Sequence, residues 1–116
     1  MGKKILAVDD ESMILDAVKL ILEDMGHEVH TYSDSAQGEA AALAEDYDLI
    51  LLDLRMPNKN GAQLTESIMK AKPGAKILLI TAYPTDPLAS QALQAGAQSL
   101  LKKPFEIAKI VDFLGE

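Results

Sequence analysis

Residues 49–53 read Leu-Ile-Leu-Leu-Asp, four consecutive apolar side chains followed directly by a carboxylate. Continuous apolar runs of this length are typical of strands that are buried on both faces of a parallel sheet. Comparable runs lie at residues 4–8, where Lys4 precedes four apolar residues, and at residues 77–80. Residues 29–32 and 99–101 mix apolar with polar side chains, as edge strands do. The sequence therefore predicts three central strands and two edge strands.

Each predicted strand is followed by a stretch in which apolar residues recur with the period of an α-helix. These residues are Ile14, Leu15, Val18, Leu22 and Met25, then Ala36, Ala40, Leu43 and Ala44, then Leu64, Ile68 and Ala71, then Leu88, Ala92 and Ala95, and finally Ile107, Ile110, Val111 and Leu114. Before the fourth stretch, Asp86 and Pro87 provide an N-cap and a first-turn proline. Strands that alternate with helices indicate a parallel sheet with helices on both faces.

The predicted fold class is α/β, a flavodoxin-like doubly wound sheet of five parallel strands with five helices on both faces. With right-handed crossovers, the strand compositions agree with the order 2-1-3-4-5. Residues 1–116 are expected to form one domain, because compact domains most often contain about 100–150 residues. In this topology a binding site is expected at the carboxyl ends of the first and third strands.

Composition excludes several classes of protein. The absence of cysteine excludes disulfides, thiolate catalysis and Cys-ligated metal centres. A net charge of −7, only three Tyr and two Phe, and no Trp disfavour direct nucleic-acid binding, which needs cationic surfaces and stacking platforms. No purely apolar run is longer than five residues, so we expect no contact with a membrane interior and a cytoplasmic location.

Four of the predicted strands end in charged or hydroxyl-bearing residues, namely Asp9-Asp10-Glu11, Asp53, Thr81-Ala82 and Lys102-Lys103. Taken singly, most of them have an ordinary structural interpretation. Asp9 and Asp10 are typical helix-capping acids, and Lys103 is typical of a solvated lysine. Asp53 fits that interpretation worst, because an acid that directly follows four apolar residues lies where burial penalises its charge.

Together these residues indicate a more specific chemistry. Carboxylates from neighbouring strands repel one another, and without compensation one of them takes up a proton. A hard divalent cation relieves the repulsion, and Mg²⁺ suits a site with few carboxylates because it prefers oxygen ligands and retains water. A cation, the Lys103 ammonium and the Thr81 hydroxyl around Asp53 would form a phosphoryl-transfer site with Asp53 as the nucleophile.

The chain resembles the receiver domain of two-component response regulators over essentially all 116 residues. The residues that carry the resemblance are Val8-Asp9-Asp10-Glu11, Leu51 to Pro57 with Gly61, Thr81-Ala82, Ala95-Gly96-Ala97 and Lys103-Pro104-Phe105. The resemblance implies that Asp53 accepts a phosphoryl group from a phosphohistidine of a sensor histidine kinase or a histidine phosphotransfer protein. It further implies altered protein–protein contacts, and a self-directed reaction rather than an enzyme with external turnover.

The resemblance also implies a role for each matching residue. The carboxylates of Asp10 and Asp53 and the backbone carbonyl of Arg55 would ligate Mg²⁺, and Asp9 would act through a metal-bound water. Lys103 would pair with the phosphoryl oxygens, beside a cis peptide bond to the following proline. Thr81 would turn to hydrogen-bond the phosphoryl group.

Ala82 and Leu100 bear on how the domain would change conformation on phosphorylation. The small side chain of Ala82 leaves Thr81 room to approach the phosphoryl group. Many receivers have Tyr or Phe three residues before the lysine, whereas this chain has Leu100, whose ordinary interpretation is a packing leucine. An aromatic switch is therefore not expected here. Switching would depend on Thr81, the loop that follows it and the fourth helix.

The loop at residues 83–87 contains two prolines, which reduce its conformational entropy. In the family, the residues two positions after the acceptor and two after the threonine influence the lifetime of the phosphoryl group, and here these are Arg55 and Tyr83. One hypothesis is that both lie over the phosphoryl group and hinder an attacking water. The alternative is that both point to solvent.

Three other functions agree less well with the sequence. An aspartyl-phosphate phosphatase needs a second acid two residues after the nucleophile, where this chain has Arg55. A nucleotide or flavin carrier is disfavoured because no glycine-rich phosphate-binding motif occurs. A phosphorylation-independent adaptor usually lacks one of the acids, the threonine or the lysine, and all are present here.

The sequence leaves the biological setting of the domain open. No output segment follows the last predicted helix, so the chain is either a stand-alone regulator or the receiver of a longer one. The downstream protein or output domain, the cognate kinase and a homodimer are all left open.

Overall fold

The computed structural model describes residues 2–114, which form a five-stranded sheet flanked by helices. Its elements are β1 (Lys4–Val8), α1 (Ser12–Asp24), β2 (Glu28–Tyr32), α2 (Ser35–Ala44), β3 (Leu49–Asp53), α3 (Gly61–Ala71), β4 (Ile77–Thr81), α4 (Pro87–Gln94), β5 (Ser99–Lys102), α5 (Ala108–Val111) and a final 3-10 turn (Asp112–Leu114). All strands are parallel, in the order β2-β1-β3-β4-β5. The predicted flavodoxin-like fold class and strand order are confirmed.

Side chains that alternate along the central strands divide the core into two apolar clusters. Leu6, Ile50 and Leu79 belong to the cluster covered by α2, α3 and α4. Ile5 and Leu51 belong to the cluster on the opposite face, covered by α1 and α5. Every residue of β3 and β4 is buried, which explains their continuous apolar sequences. Full burial of one such side chain contributes about 1.5–3 kcal/mol.

The two outer strands are only partly buried, as their mixed composition predicts. The strands β3, β4 and β5 each extend one residue beyond the predicted apolar run. As a result, Asp53, Thr81 and Lys102 are the last residues of their strands. The extension matters because it places Asp53 and Thr81 within regular sheet structure, where the hydrogen-bonded ladder positions their backbones.

The apolar stripe predicted for α2 is wrong. The four residues of that stripe are exposed, namely Ala36, Ala40, Leu43 and Ala44. The helix instead buries Ser35, Gly38, Ala41 and Ala42. The physical reason is close packing, since a Cβ added to Gly38 would lie only 2.6 Å from a methyl carbon of Val8. Because α2 contacts the sheet through its smallest residues, a search for large apolar side chains misses the buried face.

The apolar patterns of the other helices mostly agree with the structure. Buried members of these patterns are Leu15, Val18, Leu22, Leu64, Ile68, Ala92, Ile110 and Leu114. Met25 and Ala71 are exposed because they lie at the C-terminal ends of α1 and α3, beyond the packed turns. Asp86 caps α4 as predicted, accepting the Leu88 N–H at 3.0 Å. None of the helices within residues 2–114 has both the length and the apolar character needed to cross a bilayer.

Candidate functional site

The carboxyl ends of β1, β3, β4 and β5 meet at one edge of the sheet because these strands are parallel. Val8 lies opposite Leu52, and Thr81 lies opposite Lys102, so the residues that follow the strands are neighbours. A cavity of about 240 Å³ opens at this edge, and we call it the acceptor cavity. The residues that line it are Asp10, Glu11, Asp53, Arg55, Thr81, Ala82, Tyr83 and Lys103. The structure thus brings together most of the residues that the sequence singled out.

Asp9, Asp10 and Asp53 form an acidic cluster in which one carboxylate oxygen of each residue lies within 4.8 Å of the others. Asp9 is fully buried and Asp53 nearly so, whereas Asp10 is exposed. Asp9 Oδ1 accepts the Glu11 N–H at 2.9 Å. Asp9 Oδ2 is buried and has no hydrogen-bond partner among residues 2–114. A buried carboxylate oxygen without a hydrogen bond is costly unless a cation stands beside it.

Lys103 is the ammonium group that faces the acidic cluster. Its Nζ lies 3.0 Å from Asp9 Oδ2 and 3.3 Å from Asp53 Oδ1, and it donates a hydrogen bond to Glu11 Oε1 at 2.9 Å. The contact with Asp9 Oδ2 is an ion pair, so the ammonium is shared among three carboxylates. Burial alone lowers the pKa of Lys103, but Glu11, Asp9 and Asp53 together raise that pKa above its ordinary value. The Lys103–Pro104 bond is cis, as the resemblance implies.

The environment of Asp53 disfavours its anionic form. Burial of the carboxyl group, reinforced by the negative charge of Asp9, raises the pKa of Asp53 to about 7, although Lys103 acts in the opposite direction. The Lys103 ammonium therefore does not offset the combined effect of burial and the Asp9 charge on Asp53. This agrees with the prediction that one carboxylate takes up a proton in the absence of further compensation.

The acidic cluster fits a hard divalent cation. Carboxylate oxygens are ligands that Mg²⁺ prefers, and the three carboxylates, two of them buried, face the single ammonium of Lys103. Burial and the charge of Asp9 raise the pKa of Asp53 at the same place, and a cation there would favour the charged carboxylate. Asp10 is exposed and lines the acceptor cavity, so it offers a ligand that solvent-borne ions can reach.

The loop between β3 and α3 is held close to Asp53. A Cβ on Gly61 would lie 2.7 Å from the Asp53 carbonyl oxygen, so this approach requires glycine. Ser35, at the start of α2, donates its hydroxyl to the Pro57 carbonyl at 3.0 Å and accepts the Lys59 N–H at 3.3 Å. The loop is therefore fixed from two sides. The sequence did not predict the role of Ser35, because the contact crosses between two connections that are remote along the chain.

The loop after β4 forms a compact turn around Thr81. Thr81 is buried, and its Oγ1 accepts the Tyr83 N–H at 3.0 Å. The Asp86 N–H donates to the Tyr83 carbonyl at 3.0 Å, while the Tyr83 side chain is 70% exposed.

Leu100 is half-buried and packs against the apolar cluster beneath α3 and α4, as an ordinary packing leucine does.

The Arg55 guanidinium is not directed only at solvent, because it is hydrogen-bonded to Asp86. Its Nε donates to Asp86 Oδ2 at 2.7 Å, and its Nη2 donates to Asp86 Oδ1 at 2.9 Å. The sequence predicted Asp86 only as a helix cap, so this partner was missed.

Glu11, which accepts the Lys103 hydrogen bond, was also missed as an ion-pair partner, although its place directly after Asp10 at the end of β1 is a usable signal. That Arg55 and Tyr83 shield a phosphoryl group stays a prediction.

Comparison with known proteins agrees with this geometry. The family model described as response regulator receiver domain matches residues 5–114. The alginate biosynthesis transcriptional regulatory protein AlgB of Pseudomonas aeruginosa is 39% identical over 101 residues, which are 87% of this chain and 22% of AlgB. The chain thus spans about a fifth of the length of that relative.

Two solved structures share the fold. The receiver domain of sensor histidine kinase PA1611 from Pseudomonas aeruginosa PAO1, with a magnesium ion in its active site cleft, has a TM-score of 0.88 and 29% identity, covering 98% of this chain and 95% of its own. A response regulator from Burkholderia pseudomallei, with a phosphorylated aspartic acid, a calcium ion and citrate, has a TM-score of 0.88 and 29% identity, covering 97% of this chain and 66% of its own. The chain belongs to the response regulator receiver domains of two-component systems.

Proposed function

We propose that Asp53 accepts a phosphoryl group from a phosphohistidine of a sensor histidine kinase or a histidine phosphotransfer protein, in a reaction that depends on Mg²⁺. The observation that carries this proposal is the nearly buried Asp53 carboxylate, which lines the acceptor cavity 3.3 Å from the Lys103 ammonium. The modification then alters the protein–protein contacts of the domain. The magnesium and the phosphorylated aspartic acid in the two similar structures support the same chemistry.

In this reaction a carboxylate oxygen of Asp53 attacks the phosphorus atom. The bond between phosphorus and the imidazole nitrogen breaks, and its electron pair stays with that nitrogen. Asp53 must be unprotonated to attack. Mg²⁺, held by the carboxylates of Asp10 and Asp53, the Arg55 carbonyl and, through water, Asp9, would supply the positive charge that favours this form and neutralises the phosphoryl oxygens.

Lys103 and Thr81 act on the transferred group. The Lys103 ammonium is already close to Asp53 Oδ1, so it pairs with a phosphoryl oxygen without a large movement. The Thr81 hydroxyl lines the acceptor cavity and turns to donate a hydrogen bond to another phosphoryl oxygen. Later hydrolysis occurs on the same residue, so the domain is not an enzyme with external turnover.

The surface beside the acceptor cavity suits a protein donor. An apolar groove of about 450 Å³ lies between α1 and the segment after β5, and it shares Glu11, Ala82 and Lys103 with the acceptor cavity. Met13 and Leu20 of α1 are exposed. A partner that delivers a phosphohistidine to Asp53 must cover this surface.

The proposal is tested by trapping beryllofluoride, which imitates a phosphoryl group on a carboxylate. We expect beryllium fluoride with Mg²⁺ to change the amide spectrum and raise the melting temperature of the wild type. Asp53→Asn should abolish both effects, whereas Asp24→Asn, at an exposed acid at the end of α1, should retain them. A wild type that shows no response would contradict the proposal and favour a phosphorylation-independent adaptor.

A further inference from the structure

Arg55 is the only arginine in the chain, and it stands two residues after Asp53. Its guanidinium makes two parallel hydrogen bonds to the Asp86 carboxylate, at 2.7 and 2.9 Å. Paired charge-assisted bonds of this kind have a defined geometry as well as strength. The Arg55 side chain is 64% exposed and the Asp86 side chain is 7% exposed. The carboxylate is thus the enclosed member of the pair, and the guanidinium is the member that solvent reaches.

Asp86 is held in place by contacts that do not involve Arg55. Its Oδ1 accepts the Leu88 N–H at 3.0 Å, and its own N–H donates to the Tyr83 carbonyl at 3.0 Å. Pro87 follows it at the first position of α4. The guanidinium is therefore tied to a carboxylate that keeps its position at the start of α4 whether or not Arg55 is bound.

Arg55 also lines the acceptor cavity, together with Asp53 and Thr81, whereas Asp86 does not. One side chain thus lies between two anionic positions, the Asp86 carboxylate and the place where a phosphoryl group on Asp53 would stand. A phosphoryl group carries a charge of about −1.5 to −2 and three strong acceptor oxygens. It therefore competes well with a carboxylate of single charge.

The helix that Asp86 begins is lightly packed. Its buried residues are Ala89 and Ala92, which bury little apolar area. The pair between Arg55 and Asp86 is a direct tie between the loop that follows the acceptor and the start of α4. Loss of that tie would remove the direct link between the β3–α3 loop and the start of α4, while Asp86 keeps its own backbone contacts.

We propose that Arg55 moves from Asp86 to the phosphoryl group when Asp53 is phosphorylated. Asp86 is a positioning residue that binds the guanidinium in the unphosphorylated state. This inference rests on the proposed function of Asp53. In the phosphorylated state the guanidinium covers the phosphoryl oxygens and slows the attack of water on phosphorus. The same movement unties α4 from the β3–α3 loop.

The single arginine makes the movement directly observable. In an ¹⁵N-labelled protein only one arginine Nε–H signal exists, and it reports the hydrogen bond to Asp86. We expect saturation with beryllofluoride and Mg²⁺ to shift this signal strongly in the wild type. In Asp86→Asn, which keeps a good N-cap but loses the charge, the signal of the free protein should already differ from that of the wild type.

Affinity and lifetime give a second, independent measurement. Asp86→Asn should bind beryllofluoride about two- to fivefold more tightly and hydrolyse its phosphoryl group more slowly by a similar factor, as expected for an exposed ion pair. Arg55→Ala should have the opposite effect on both. Adding Asp86→Asn to Arg55→Ala should change nothing further. Asp34→Asn, which alters the N-cap of α2, is the matched control and should behave as the wild type.

The outcomes separate this inference from the proposed function. If the wild type binds beryllofluoride but the Arg55 Nε–H signal does not move, the exchange of Arg55 is wrong while the function of Asp53 stands. An effect of Asp86→Asn that persists in the Arg55→Ala background would also overturn the inference. Failure of the wild type to bind beryllofluoride would overturn both.

Discussion

Asp53 lies at the end of a buried strand, where water cannot solvate its charge well. The burial and the neighbouring Asp9 together raise the pKa of its carboxyl group to about 7. The Asp53 carboxyl group is therefore partly protonated near neutral pH when no cation is bound. A cation in the acidic cluster would release the proton, which links metal binding to the readiness of Asp53 to react.

The raised pKa of Asp53 predicts an unusual dependence of stability on pH. In metal-free buffer the folded protein keeps this proton up to about pH 7, whereas the unfolded chain loses it near pH 4. The folded state thus binds more protons between these values, so the free energy of unfolding falls as the pH rises through this window. We expect a loss on the order of 2 kcal/mol relative to Asp53→Asn, measured by urea unfolding at pH 5 and pH 8. Asp24→Asn should follow the wild type, and parallel profiles for wild type and Asp53→Asn would contradict the assignment.

At the scale of elements, helices α2 and α4 are connected to the loop between β3 and α3 by side-chain contacts as well as by packing. Ser35 of α2 bonds to the backbone of the loop at Pro57 and Lys59. Arg55 of the loop bonds to the start of α4 at Asp86. The loop after Asp53 is thus fastened to one neighbouring helix by a buried hydroxyl and to the other by an exchangeable ion pair.

The Ser35 contact predicts a local loss of order when its hydroxyl is removed. Ser35→Ala leaves the Pro57 carbonyl and the Lys59 N–H without their partner, so the free energy of unfolding should fall by about 1–2 kcal/mol. Beryllofluoride affinity should also fall, because the loop carries the Arg55 carbonyl. Ser90→Ala, at an exposed position of α4, is the matched control. Unchanged affinity with reduced stability would limit Ser35 to a structural role.

At the scale of the whole molecule, the net charge is −7, but the acidic residues do not all contribute equally to function and stability. Much of the acidity lies on exposed surface, where ion pairs contribute little. The acidic cluster is different because two of its three carboxylates are buried at one edge of the sheet, opposite a single ammonium. A ligand that binds only the folded arrangement of these groups stabilises the entire domain.

Magnesium should therefore raise global stability. At a concentration of about one hundred times its dissociation constant, Mg²⁺ should add about 2.7 kcal/mol to the free energy of unfolding at constant ionic strength. Asp10→Asn should remove most of this gain. Asp46→Asn, whose side chain is almost fully exposed, should retain it. An equal gain in both variants would indicate general screening instead of a defined site.

Much of the fold and of the site follows from patterns along the chain. The apolar runs at residues 4–8, 49–52 and 77–80 predict the buried strands, because only side chains buried on both faces are apolar without interruption. The strand order then brings the carboxyl ends together, so Asp53 and Lys103 are expected to be neighbours even though 50 residues separate them in the numbering.

Other features depend on distances that no local pattern contains. The buried face of α2 is invisible to apolar periodicity, since close contact of Gly38 with Val8 selects for small side chains. The raised pKa of Asp53 depends on how far water is excluded from it and on the exact approach of Asp9.

The sequence by itself determined the fold class, the order of the strands and the set of residues at the acceptor edge, because hydrophobic burial and parallel connections act through composition and periodicity. Only the tertiary structure decided that Lys103 is shared among Asp9, Glu11 and Asp53, and that Arg55 is bound to Asp86. Such pairings depend on the directions of side chains on loops from different strands, and Coulomb and hydrogen-bond energies change over a few ångströms.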